Sequence, residues 1–227
     1  MKEIIAKTFK GIFGIDNPFT NEEILEKFGF DMELPVKVTD STTNEETWTV
    51  AVNQKKFMTS KTSEKMETTS GWMREKQAIT SLEDILKIWN EVNYITTERN
   101  YDVINVVESD TIYNAENIYR SCNSGRGKNY VYCDSMWDSE YVVCCKRSSN
   151  CQYAIRVDDS SKCSNSYNVI CSGGIINSLF INDCSDLYEC LFCSHISSKK
   201  YCIANMQFEK EEYFLIKEQI IKWLISN

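Results

Sequence analysis

The chain has one histidine, two prolines, no cysteine before Cys122 and no threonine after Thr111. Each shortage removes a class of function. With His195 as the only imidazole, a Cys-His or Ser-His nucleophile would have to use it as its base, and no partner is indicated. An ice-binding array of threonines on short coils fails for want of any threonine in the second half. No apolar run approaches the ~18–20 residues that span a bilayer. Lys7 and Lys10 interrupt the apolar stretch that a secretory leader would need. Charge of one sign is not concentrated either. The net charge is −8, with 13 Lys/Arg against 17 Asp/Glu in the first hundred residues and 12 against 16 in the rest. No domain-wide basic surface is expected, so nucleic acid is not an expected partner.

Phosphate and metal motifs are also incomplete. Gly127-Lys128 is followed by Asn129, and Cys122 stands where a P-loop needs its first glycine. Structural zinc usually takes two closely spaced ligand pairs. Only Cys190-Leu-Phe-Cys193 has that spacing, with His195 and Cys202 as the residues that could complete a site. Cys144-Cys145 sends its side chains to opposite faces and chelates poorly. Small basic groups at Arg126/Lys128, Lys146/Arg147 and Lys199/Lys200 read as solvated turns, as do the acid pairs Asp158/Asp159 and Asp183/Asp186. Coils this small leave no room for the cleft of a polysaccharide-cleaving pair. No catalytic, cofactor or metal residue is assigned.

What is present is a change of composition near residues 100–115 and a short repeat beyond it. All 11 cysteines lie in the second part, with serine and asparagine as polar filler. An odd cysteine count without an export signal points to reduced thiols packed as small hydrophobes in a cytosolic chain. Four-residue windows start at Tyr119, Tyr130, Tyr141, Tyr153, Tyr167, Leu179, Cys190 and Tyr201, at steps of 11, 11, 12, 14, 12, 11 and 11. Such a period means stacked copies of one unit. Eleven or twelve residues hold one turn of a narrow β-coil, and eight turns at ~4.8 Å make a rod on the order of 35–40 Å. Strand alternation then places window positions 1 and 3 inward. A step of 11 stacks Cys122, Cys133 and Cys144 as a thiol ladder.

The first hundred residues read as mixed α/β. Residues 3–13 carry Ile4, Ile5, Phe9, Ile12 and Phe13 at helical spacing, as a docking segment rather than a membrane helix. Thr20–Glu23 is a capping box for a helix ending near Gly29. Leu34–Thr39 and Thr47–Val52 form a hairpin around Asn44. The polar stretch Thr59–Gly71 reads as an exposed loop. Thr80–Glu83 opens a second helix whose Leu82, Ile85, Leu86, Trp89 and Val92 form a buried stripe. In residues 209–225, Tyr213, Phe214, Ile216, Ile220, Ile221, Trp223 and Leu224 make a terminal helix that caps the last coil.

The segment from Tyr119 to Tyr213 resembles a class of Cys/Tyr/Asn-rich short-repeat proteins of small-genome bacteria and bacteriophages. The stretch CLFCSHISSKKYCIANMQFEKEEY, Cys190 to Tyr213, carries the resemblance most fully. Arg156, Ile170 and Asn182 stand where that pattern expects cysteine. The resemblance implies a β-solenoid and no established activity, and carries no functional residues over. Pentapeptide-repeat proteins are only distantly similar.

The expected architecture is therefore an α+β N-terminal domain (1–100), a β-solenoid with coils of eleven to twelve residues (101–208) and a C-terminal capping helix (209–227). The expected function is a non-catalytic assembly or protein-interaction module, cytoplasmic or part of a phage virion. It would self-assemble or bind a protein partner, with no cofactor, nucleic acid or membrane. The alternative is a Cys-based metal- or redox-responsive module using Cys190, Cys193, His195 and Cys202.

Overall fold

The computed structural model describes residues 1–70 and 72–226. A β-solenoid of about nine turns occupies residues 100–203. It is preceded by α1 (Lys2–Phe13), α2 (Asn21–Phe28), β1 (Val36–Thr39), β2 (Glu46–Thr49), β3 (Phe57–Thr59), α3 (Ser60–Ser70), α4 (Leu82–Val92) and β4 (Ile95–Thr97). The fourteen-stranded sheet that it builds runs from β5 (Asn100–Val107) to the short antiparallel β18 (Met206–Gln207) just beyond the last turn, and α5 (Lys210–Ser226) follows.

The solenoid repeats at a period of twelve without drift. Val131 pairs with Val143, Ile155 with Tyr167, Leu179 with Leu191 and Leu191 with Ile203, all parallel. Within each coil the unit is three residues. From Asp102 to Ala204, every third residue has positive φ, and only Gly174 among them is glycine. Four such corners fold each coil into a narrow four-sided loop. Over most of the rod the residue after a corner points inward: Ile118, Cys133, Val142, Cys145, Ala154 and Val169 are all fully buried. Left-handed backbone is worst for β-branched side chains. No Val or Ile between residues 100 and 204 occupies a corner, and Thr111 is the one β-branched exception.

This corrects the inward assignment made from strand alternation. The tyrosines that anchor the sequence windows occupy three different directions. Tyr130 lies inside, Tyr141 and Tyr153 are corners, and Tyr167 is on an outer flank. Their uneven steps came from mixing these positions. The thiol ladder dissolves for the same reason: Cys133 points inward, Cys144 is a corner, and Cys122 faces outward toward Glu33 O. The thiols that stack one coil apart are Cys133–Cys145, Cys151–Cys163 and Cys190–Cys202.

Small inward residues fit so narrow a coil, and serine and cysteine fill it alike. Inward hydroxyls donate to the carbonyl two residues back, as Ser124 does to Cys122 O (2.6 Å) and Ser160 to Asp158 O (2.7 Å). The same oxygens accept an amide from the next coil, that of Met136 or Ser172 (both 3.0 Å). Inward thiols of Cys133, Cys145 and Cys193 reach the equivalent carbonyls at 3.3–3.4 Å. These inward polar groups are thereby satisfied. The large Tyr130 enters because Gly127 opposes it. A Cβ at Gly127 would overlap the Tyr130 hydroxyl, which accepts the Ser139 amide at 3.0 Å.

One flank of the rod is apolar and covered. Val131, Val143, Ile155, Tyr167, Leu179, Leu191 and Ile203 form it, one residue per coil. Ile5, Phe9, Ile12 and Phe13 of α1 lie over its first half, with Ile24 and Phe28 of α2 beside them. Gly11 permits the approach, since a Cβ there would meet the Tyr153 ring at 2.6 Å. Asp31, just after α2, ties the helices down through Lys146 (2.9 Å) and Arg156 (3.1 Å). The terminal helix α5 covers the second half of the same flank. It runs back from Tyr213 on Tyr201, through Lys217 bonded to Asn177 O and Glu189, to Trp223 beside Phe180.

The N-terminal region thus divides, with α1 and α2 on the flank and the β1–β4 segment at the first coil. There the fully buried Asp110 carboxylate accepts Arg99 Nε (3.2 Å) and Nη2 (3.1 Å), Thr49 Oγ1 and the Val50 amide. At the other end β17 (Cys202–Ile203) turns back antiparallel onto β18. The neighbouring β16 (Ser197–Lys200) pairs only with β14 (Ser185–Tyr188) and is exposed throughout, and Lys199 and Lys200 guard its free edge. The polar stretch expected as a loop is helix α3. Thr59 caps it by accepting the Thr62 amide at 3.2 Å, and the Ser60 hydroxyl holds its start to Thr97 O. Gly71, the end of that stretch, and Asn227, the end of the expected capping helix, lie outside the described residues.

Two outcomes follow. Ser160→Ala leaves the Ser172 amide without its acceptor and should cost ~1–3 kcal/mol in urea unfolding, whereas Ser160→Cys should cost less. The Asp31 carboxyl is pushed upward by burial, but Lys146 and Arg156 outweigh that and hold it below the usual range. A depressed carboxylate stabilises the fold above its unfolded pKa of ~3.9 and loses that contribution as pH falls through the folded value. Stability of Asp31→Asn, measured from pH 6 to 2, should therefore fall less steeply on acidification than that of the parent chain.

Candidate functional site: an uncovered apolar helix face

The polar groups singled out in the sequence are mostly neutralised by the coil above or below. Arg126 pairs with Asp138 (3.0 Å) and lies over Trp137, and Lys128 pairs with Glu116 (2.9 Å). Lys146 and Arg147 share Asp158, at 3.7 and 2.7 Å. Lys200 lies over the rings of Tyr188 and Tyr201. A recess of about 530 Å³ is lined by Arg147, Ser149, Asp159, Cys171 and Gly173, and in it the exposed Cys171 thiol donates to the Asp159 carboxylate at a long 4.0 Å.

The cysteines are core atoms. Ten of the eleven are buried and Cys171 is exposed. Burial pushes the Cys144 and Cys145 thiols well above their ordinary value. These neighbours do point apart, Cys145 inward and Cys144 under α2, with its sulfur 3.1 Å from where a Gly29 Cβ would sit. Cys190, Cys193 and Cys202 meet inside the last coils, where the Cys193 thiol bond and burial raise Cys190. His195 does not join them. It is a corner, 72% exposed, paired with Asp183 at 3.2 Å and Ser194 at 2.5 Å. Among the described residues, no group of three or more His, Cys, Asp or Glu is arranged to hold a metal ion. Among them, too, no helix is long and apolar enough to cross a membrane.

Among the described residues, α4 is the helix whose apolar stripe is left uncovered. Its N-terminus is well formed, with a capping box between Ser81 and Asp84, one residue later than the sequence spacing placed it. Leu82, Ile85, Leu86 and Trp89 share one face by 3.6-residue periodicity. The expectation that this stripe is buried is overturned: no residue of α4 is buried, and these four are 48–68% exposed. Ile79 and Met73 on the preceding segment are exposed too. The helix is held through polar contacts, Lys56 Nζ to Asn90 O (2.5 Å) and Arg74 to Glu91 (2.7 Å). Periodicity identified the stripe correctly, but burial needs an opposing surface. The chain around it, from Ser60 to Ser81, is too polar to supply one.

No family model, curated protein or solved structure matches this chain.

The packing of the thiols has a direct chemical consequence. A water-soluble thiol reagent added to native protein should label Cys171 rapidly. The other ten should react only with denaturant present, as counted by intact mass.

Proposed function

We propose that this chain is a non-catalytic assembly or interaction protein. The observation that supports it best is the α4 face, where Leu82, Ile85, Leu86 and Trp89 stand in solvent on a capped helix. A contiguous apolar patch of this kind on a folded protein is the usual mark of a contact surface. The solenoid serves as a rigid support, since its apolar flank is already used by α1, α2 and α5. Several solvent-facing charges on the coils pair with one another, as Arg126 does with Asp138, Lys128 with Glu116 and Arg147 with Asp158, which suits a surface that is displayed rather than reactive. Membership of a phage particle rests on the resemblance carried by residues 119–213.

A Cys-based metal or redox module is less well supported. Cys190, Cys193 and Cys202 are together, but His195 faces solvent and their interior position is shared by Ser178 and Val169 on the same columns.

Sedimentation of extracts from cells that make the protein tests the reading. It should travel in species larger than its own 26.3 kDa, and a Leu86→Glu, Trp89→Glu variant should shift toward the monomer. A parent chain that sediments as a monomer under these conditions overturns it.

A further inference from the structure

The partner of the α4 face follows from its size and lack of charge, given that this face is an assembly surface as proposed above. We infer that it pairs with the same face of a second copy, as an isologous antiparallel helix pair.

Charge narrows the choice of occupant. Glu83, Asp84, Lys87 and Glu91 are the ionised residues of α4, and helical periodicity turns all four away from the Leu82–Trp89 stripe. The stripe therefore offers no charge for a charged partner to complement. An interfacial membrane helix carries Lys and Arg on its polar face. Here that face has three acids to one lysine, so anionic headgroups repel it. An uncharged apolar partner remains, and interfaces between identical subunits are the most apolar class.

Geometry fits self-pairing. A two-fold axis between Ile85 and Leu86 in an antiparallel pair sets Leu82 against Trp89 of the other copy and Ile85 against its Leu86. The large indole thus meets the smaller leucine at both ends. The 11 residues of α4 give a contact about 16 Å long. Leu82, Ile85, Leu86 and Trp89, with Ile79 and Met73, supply at most about 700 Å² per copy, taking ~100 Å² for an aliphatic side chain and ~200 Å² for tryptophan. Two copies bury at most about 1,400 Å², at the lower end of specific interfaces. The dimer is accordingly expected to be reversible, in the micromolar range.

The test uses the purified full chain. Sedimentation velocity from 1 to 200 μM should show exchange between 26.3 kDa and twice that mass. Leu86→Glu should abolish the larger species, while Lys87→Glu, on the opposite face, should leave it intact. Circular dichroism checks that both variants keep the parent fold. In a Cys171→Ser background, Ile85→Cys lies beside the two-fold axis and should give a disulfide-linked dimer under mild oxidation.

A dimer that survives Leu86→Glu, and that the Ile85→Cys variant does not cross-link, uses another surface and overturns the inference. So does a chain that stays monomeric at 200 μM. If that monomer carries a photo-crosslinker at position 86 and couples to a different protein in extract, the assembly reading stands and only the choice of partner fails. If it couples to nothing, both fail. Flotation with phosphatidylcholine or phosphatidylserine vesicles, lost in Leu86→Glu, would also overturn self-pairing in favour of a lipid surface.

Discussion

The narrow cross-section of the coil is the constraint on which the structure depends. Twelve residues close a turn only if the backbone bends four times, and each bend is a residue in the left-handed region. Such a residue is unfavourable by about 1–2 kcal/mol in isolation. It is sustained here because the next coil repeats the bend and completes its backbone hydrogen bonds. Asparagine and aspartate, which tolerate this conformation best, hold many corners, and β-branched residues are kept off them.

That constraint selects the interior. Four inward residues per turn leave little volume, so serine, cysteine, alanine and valine recur, and a tyrosine enters only beside Gly127. Serine is compatible with burial because its hydroxyl joins a carbonyl two residues back to an amide one coil on. Cysteine does nearly the same with its sulfur, and Cys145 Sγ accepts the Val157 amide at 3.4 Å. The abundance of cysteine thus has a packing origin. It is an apolar alternative to serine at a position that also rewards a weak donor.

The same regularity explains how the rest of the chain attaches. A coil that repeats at a fixed period of twelve presents identical faces in straight columns, and the column from Val131 to Ile203 is apolar over seven turns. Helices pack along such a column, so α1 and α5 lie end to end on one flank. The ends are treated differently, by the Asp110–Arg99 cluster at the first coil and by lysines and a short hairpin at the last. Helix α3 rests on β3 and β4, and α4 too stands outside this scheme. Its apolar stripe is of the same kind as that of α1, yet no column of the solenoid is left to receive it.

The solenoid, the terminal helix and the α1 docking segment were legible in the residues, because short polar–apolar recurrence and amphipathic spacing are local properties. The capping boxes at α2 and α4 were legible too, the second offset by one residue. The true period was present as well, in the avoidance of Val and Ile at every third position, but tyrosines at unrelated positions masked it. Tertiary structure alone decided which residues face inward, because left-handed corners replace the two-residue alternation of a strand. It separated Cys122, Cys133 and Cys144, and left His195 outside the Cys190–Cys202 group. It also decided that the stripe of α4 stays in solvent while that of α1 is buried. Periodicity determines that a helix has an apolar face; whether that face is covered depends on what the rest of the chain brings against it.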